Sequence, residues 1–254
     1  MIKHFIDLDY FKKKELVSII NFAKKIKKNQ NKYKNLFKNN SLGLLFQKQS
    51  TRTRLSFSIG MQNLGGNVIE LDYDKIGFNT RESPEDILRV MAQYLDVLVI
   101  RNNNHKQLIS LASLNVLPII NGLSNFSHPC QILSDILTIE ENLGKIENQT
   151  IAWLGDFNNV LISLIQASEI FKFTLNIMVP NSILKKSNRI INSKKLNYTK
   201  FYSSINLGIK NTDCVMTDAW ISMGEKNILN KKQILKKYQV NENIMKRANK
   251  DAIF

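Results

Sequence analysis

A chain of 254 residues, 43% of them apolar, is long enough to bury a sizeable core as two modest α/β domains or one large one. Lys and Arg number 36 against 21 Asp and Glu, and this formal charge of +15 draws anions of any size, from small phosphates to nucleic acid. No aromatic RNA-binding signature or recognition-helix pattern accompanies the charge, the two cysteines form no disulfide framework, and no apolar run approaches membrane-spanning length. Asp7 and Asp9 interrupt the apolar residues of the opening stretch, which argues against a signal peptide, so a cytoplasmic protein with no membrane or nucleic-acid partner is expected.

Taken in order, short β-branched or leucine-rich runs alternate with helical patterns. Strands are expected at 42–46, 67–71, 96–100 and 116–120, then at 150–154, 175–179 and 213–217. Helical periods fall at 85–94 and 106–114, and the uncharged stretch Leu55 to Ile69 opens as a buried helix. A long helix is expected from Pro129 to Leu143, with Gly144 as its stop. The alternation argues for an α/β fold of two domains, 1–144 and 145–254, each a parallel sheet flanked by helices, joined by that long helix. The polar clusters "QKQSTRTR", Arg101, "NGLSNFSHPCQ", "GDFNNV" and "DAWISMG" each follow a strand. Open parallel sheets bind ligands beyond such carboxyl ends, so five loops from two domains are expected to face one cleft.

The chemistry of these clusters is that of anion and amide recognition. A helix opening near Ser50, Thr51, Arg52 and Thr53 offers unpaired N–H groups and a dipole that favours negative charge. Ser50 or Thr51 can cap it, and Arg52 supplies a planar fork for phosphate or carboxylate. The glycines and lysine of a P-loop are missing, and the same pattern would serve a solvated helix cap. In "HPCQ", Pro129 suits a first helical position, which leaves His128 and Gln131 as donors for a polarised carbonyl or amide, or as structural residues. Cys130 reads as a buried helix residue, since no general base is assigned to it. "GDFNNV" has one glycine, too few for a dinucleotide turn, but Asn158 and Asn159 bring amides to a helix start. Asp218 is either a turn residue or a carboxylate for an amino-acid ammonium group, with Ser222 close behind. No spacing suggests a metal site or a nucleophilic triad.

Together "FQKQSTRTRLSF", Arg101, "HPCQ", "GDFNNV" and "DAWISMGE" resemble the aspartate/ornithine carbamoyltransferase family, and the resemblance covers the whole chain. The last two signatures resemble its ornithine-using branch. The resemblance implies carbamoyl transfer from carbamoyl phosphate to L-ornithine, giving L-citrulline and phosphate in arginine metabolism, by a homotrimer without metal or organic cofactor. It implies that Ser50, Thr51, Arg52 and Thr53 hold phosphate, and that Arg101 and His128 reach phosphate and carbonyl oxygens. Gln131, beside Pro129 and Cys130, would receive the carbamoyl amino group, while Asn159, Asp218, Ser222 and Met223 would hold the α-amino and α-carboxylate groups of ornithine. A neighbouring subunit would contribute from "DKIGFNTRE", where Gly77 or Lys75 stands in the place of the family's Gln, His or Lys. The family pattern continues past Phe254 into a His-Cys-Leu-Pro segment, a further arginine and a closing helix. Two readings follow: an ornithine carbamoyltransferase, or a truncated, catalytically impaired paralogue that binds ligand or joins another subunit. On either reading a chain without that segment is expected to be poorly soluble or weakly folded and to turn over slowly.

Overall fold

Strand β1 (Ser41–Phe46) shows how the first sheet is built. Its side chains alternate, so Leu45 faces one layer while Leu42, Leu44 and Phe46 face the other. The computed structural model describes residues 2–48, 50–78, 80–184, 196–221 and 228–254, and it divides into two units, Met1–Ser134 and Asp135–Phe254.

In the first unit β1 pairs in parallel with β2 (Asn67–Asp72) and β3 (Val97–Asn102), and β3 pairs with β4 (Ile119–Ser124), giving the order β2-β1-β3-β4. The chain begins with helices α1 (Lys13–Lys28) and α2 (Gln30–Tyr33). Between the strands run α3 (Thr51–Asn63), α4 (Pro84–Met91) and α5 (His105–Ser113). One face of the sheet buries Leu45, Leu98 and Ile100 against Ile87, Leu88 and Met91 of α4 and Leu108 and Leu111 of α5. The other buries Leu42, Leu44, Phe46 and Val99 against Met61 of α3. Arg101 shares the parity of Val99, so strand alternation sends it to the α3 side. β4 carries one extra residue: Ile100 lies opposite Asn121 and Arg101 opposite Leu123, which leaves Gly122 as the bulge.

Helix α6 (Pro129–Leu143) has the expected bounds, and Gly144 follows it at φ +84°, a left-handed position that favours glycine. In the second unit β5 (Thr150–Leu154), β6 (Thr174–Met178), β7 (Thr199–Phe201) and β8 (Cys214–Met216) form a parallel sheet in the order β7-β6-β5-β8. Helix α7 (Asn159–Phe171) is buried along most of its length, and Trp153, Phe171 and Phe173 are the largest side chains wholly inside. Short helices α8 (Ile205–Gly208), α9 (Ile228–Leu235) and α10 (Glu242–Met245) follow. Tyr238 and Ile244 close the sheet face formed by Ala152, Leu154 and Val215.

The α/β class with two helix-flanked parallel sheets is as expected, with three corrections in detail. The fourth strand spans Ile119–Ser124 rather than 116–120, so "NGLS" is part of the strand and not of the loop after it. α3 is not a buried helix: Met61 is inside, while Leu55 and Ile59 are about half exposed. Its apolar residues encircle the helix, and the sheet can cover only one side. β7, a three-residue strand, was not anticipated.

Candidate active site

The carboxyl ends of β1, β3 and β4 bring the first group together. β1 and β3 are paired with Phe46 opposite Arg101, so the start of α3 and the Arg101 side chain lie side by side. Arg101 Nη1 donates to Ser50 Oγ at 2.8 Å and to Thr53 Oγ1 at 3.4 Å. Ser50 occupies the N-cap of α3, yet its hydroxyl serves Arg101 and makes no cap bond to the opening N–H groups of the helix. Arg101 Nε is buried and has no hydrogen-bond partner among the described residues. A buried guanidinium donor in this position calls for a partner such as an anion or a water molecule. Burial lowers the Arg101 pKa, a sign of how far the charge has been taken out of water.

The four residues of the "STRT" run divide between inside and outside. Thr51 and Arg52 are exposed, and Arg52 makes no ion pair among the described residues. Arg54, the second arginine of the cluster, instead pairs with Glu70 at 2.9 Å and lies 5.7 Å from the Phe46 ring centre. Its role is to tie α3 to β2.

His128 and Pro129 are buried where α6 begins, and Gln131 is half-buried one turn on. Burial, helped by the positive charge of Arg101, lowers the His128 pKa to about 4, so the imidazole is neutral at pH 7. Cys130 Sγ donates to the Asn121 carbonyl at 3.5 Å, and burial raises this thiol to about 12. A thiol held that high is no nucleophile at neutral pH, although the residue as a whole is only half-buried.

In the second unit the loop after β5 turns at Gly155, whose φ of +134° favours glycine. Asn158 caps α7: its Oδ1 accepts from Val160 N and Leu161 N, each at 3.1 Å, and its Nδ2 donates to Asp218 Oδ2 at 2.7 Å. Asp218 follows β8 and is half-buried. Asn159, the asparagine singled out from the sequence, is the first residue of α7, one position beyond the one that holds Asp218. Asp156 is buried and pairs with Lys231 of α9 at 2.6 Å, a contact that no sequence signal indicated. Ser222 and Met223 lie outside the described residues. In "DKIGFNTRE", Lys75 pairs with Asp72 at 3.5 Å and Gly77 turns at φ +71°. Among the described residues no group of His, Cys, Asp or Glu could hold a metal ion.

The family model described as "Aspartate/ornithine carbamoyltransferase, carbamoyl-P binding domain" matches residues 3–141, and "Aspartate/ornithine carbamoyltransferase, Asp/Orn binding domain" matches residues 147–254. An ornithine carbamoyltransferase of Rhodopseudomonas palustris (strain BisA53) is 40% identical over 267 residues, which cover 99% of this chain and 83% of that protein. One from Brucella ovis is 37% identical over 100% of this chain and 82% of its own. The crystal structure of ornithine carbamoyltransferase from Burkholderia thailandensis E264 superposes with a TM-score of 0.87 at 31% identity, covering 100% of this chain and 84% of that one. The Pyrococcus furiosus enzyme gives 0.88 at 31% identity, over 99% and 83%. The two matched domain models, the identity with these relatives and the shared fold agree, and the chain belongs to the aspartate/ornithine carbamoyltransferase family.

Proposed function

We propose that this chain is an ornithine carbamoyltransferase, moving the carbamoyl group of carbamoyl phosphate to the δ-amine of L-ornithine and releasing L-citrulline and phosphate. The observation that carries the reading is Arg101, half-buried between Ser50 and Thr53 with Nε left without a partner among the described residues, within the region matched by the carbamoyl-P binding model. The amine attacks the carbonyl carbon, the bond from that carbon to the bridging phosphate oxygen breaks, and the proton lost by the amine passes to the departing phosphate. Arg101 and neutral His128 polarise the carbonyl oxygen, and Gln131 accepts from the carbamoyl NH₂. The opening N–H groups of α3, with Ser50, Thr51, Arg52 and Thr53, hold the leaving phosphate. Carbamoyl phosphate is already activated, so positioning and charge stabilisation suffice and no covalent intermediate is needed.

In this proposal residues 1–144 bind carbamoyl phosphate and 145–254 bind ornithine; Asp218 takes the α-ammonium group, and Asn158, Asn159, Ser222 and Met223 share in holding the amino acid. The relatives named above, all ornithine enzymes, support ornithine over aspartate. We assign the protein to arginine metabolism in the cytoplasm; among the described residues no helix is long and apolar enough to cross a membrane. A homotrimer is the assembly proposed, supported by the exposed Leu55 and Ile59 of α3 and Ile69 of edge strand β2. Citrulline formation by the purified protein from the two substrates tests the reading, and no product with ornithine at saturating carbamoyl phosphate would overturn it.

Two expected results follow from these roles. Arg52→Ala should weaken carbamoyl phosphate binding about tenfold, because a charge-assisted hydrogen bond contributes roughly 1.5–3 kcal/mol. Calorimetry that finds unchanged affinity removes Arg52 from the phosphate site. Asp218→Asn should raise the ornithine KM by about ten- to a hundredfold while leaving carbamoyl phosphate affinity nearly intact. Steady-state kinetics on both substrates separates the two effects, and equal losses for both would place Asp218 elsewhere.

A further inference from the structure

His105, the first residue of α5, is absent from every role assigned so far, yet its ring is nearly buried and sits at a junction of three segments. Its Nδ1 lies 2.8 Å from Ser124 Oγ at the end of β4, and its Nε2 lies 3.9 Å from Asp7 Oδ2 near the amino terminus. Its ring packs on Phe126, with centres 4.9 Å apart, and its backbone N–H donates to Asn125 Oδ1 at 3.3 Å. The order Ser, His, Asp invites a nucleophilic reading, but Ser124 is wholly buried and its oxygen already accepts from two backbone N–H groups.

Those two bonds show what the cluster does. Phe126 N and Ser127 N donate to Ser124 Oγ at 3.3 and 3.1 Å, and Ser124 N donates to the Ser127 carbonyl at 3.0 Å. The 124–127 turn is therefore wound around one hydroxyl, and the next residue is His128. With both lone pairs of that oxygen engaged, its proton goes to His105 Nδ1 at 2.8 Å in preference to the Ser127 carbonyl at 3.4 Å. This bookkeeping sets the His105 tautomer, with the hydrogen on Nε2 toward Asp7. Asp7 is itself fixed by accepting from Leu8 N at 3.0 Å. Asn121 Nδ2 completes the frame by donating to the Ile6 carbonyl and to Ser127 Oγ.

We propose that His105 is a positioning residue for carbamoyl transfer: as the acceptor for Ser124 Oγ it locks the 124–127 turn and thereby fixes where His128 meets the carbonyl. The proposal rests on the carbamoyltransferase reading above. It concerns geometry in the transition state more than substrate affinity, since a displacement of about 1 Å at a reacting group can cost about 10²-fold in rate.

The test compares His105→Phe, which keeps a ring against Phe126 but removes the acceptor, with His105→Asn, whose amide oxygen stands close to the place of Nδ1. His105→Phe should lower kcat for citrulline formation about 10–100-fold with both KM values within about twofold, and His105→Asn should recover most of the rate. The protein has three histidines, so ring-labelled NMR of the unliganded protein resolves His128 directly. Its resonance should move in His105→Phe and stay in place in His105→Asn. Should His105→Phe fail to fold, Ser124→Ala removes the same bond from its other end and should reproduce the loss. Wild-type kcat in His105→Phe, or His105→Asn as slow as His105→Phe, overturns the proposal. The NMR comparison needs no turnover, so it decides the positioning role even if the wild type makes no citrulline, a result that would overturn only the proposed reaction.

Discussion

Replacing Arg101 by Ala is expected to reduce kcat/KM for carbamoyl phosphate about 10³-fold or more, the largest effect of any single change at this site. One donor aimed at a developing oxyanion is worth about 10²–10³ in rate, and Arg101 supplies several donors and a full charge from a half-buried position. Its removal also frees Ser50 Oγ and Thr53 Oγ1 from their shared partner, loosening the start of α3. A lysine should not rescue, because a single ammonium cannot span two hydroxyls and a substrate as the guanidinium fork does. Since the Arg101 charge helps keep His128 neutral, the His128 pKa should rise from about 4 part of the way toward 6.5, with burial, the larger cause, still in place. Kinetics and a histidine NMR titration of Arg101→Ala check both statements, and a loss below tenfold would remove Arg101 from the reacting centre.

The second large effect is expected from His128→Ala, with kcat lower by about 10²–10³ and little change in either KM. The chemistry asks for a neutral imidazole that donates one N–H, and a His128 pKa of about 4 provides it over the whole physiological range. His128 should accordingly contribute no acid limb to the wild-type rate profile above about pH 5. The stability linkage has a definite sign. The folded pKa is depressed below the ordinary 6.5, so this contribution to stability is complete above pH 6.5 and is lost as pH falls toward 4. Thermal unfolding of the wild type and of His128→Gln, followed between pH 4 and 7, should diverge only through that window. Parallel curves would mean that His128 is not buried as a neutral group.

How much of this was legible in the sequence depended on the range of the interaction. Elements with local causes were read closely: Pro129 and Gly144 bracket α6, and the β-branched run at 150–154 is β5 without adjustment. β4 was misplaced because the apolar run before it contains Pro118, while the strand itself contains the less strand-like Asn121 and Gly122. β7 escaped notice because three residues that include Lys200 leave too little pattern to recognise. At the site, Ser50 and Arg101 could be associated in advance because Ser50 follows one strand and Arg101 stands at the carboxyl end of its neighbour, within β3 rather than after it. Asn158 and Asn159 could not be told apart, since the difference is one step of helix phase at the start of α7. Lys231 and His105 left no signal at all. Each acts through a partner distant in sequence, Asp156 for one and Asp7 with Ser124 for the other.

The extra residue in β4 has a consequence for how this protein can change over generations. A methyl group on Gly122 would meet Val99 Cγ1 at 2.9 Å, a contact that a stiff β-branched side chain cannot relieve by swinging away. β3 and β4 would have to spread or slip, and these are the strands whose ends carry Arg101 and the turn to His128. Descendants that acquire alanine here would keep both hallmark residues in their sequences while losing the spacing that makes them useful. A genome survey that counts only signature motifs would score such a lineage as enzymes, and the glycine at position 122 is where the silent loss would be found.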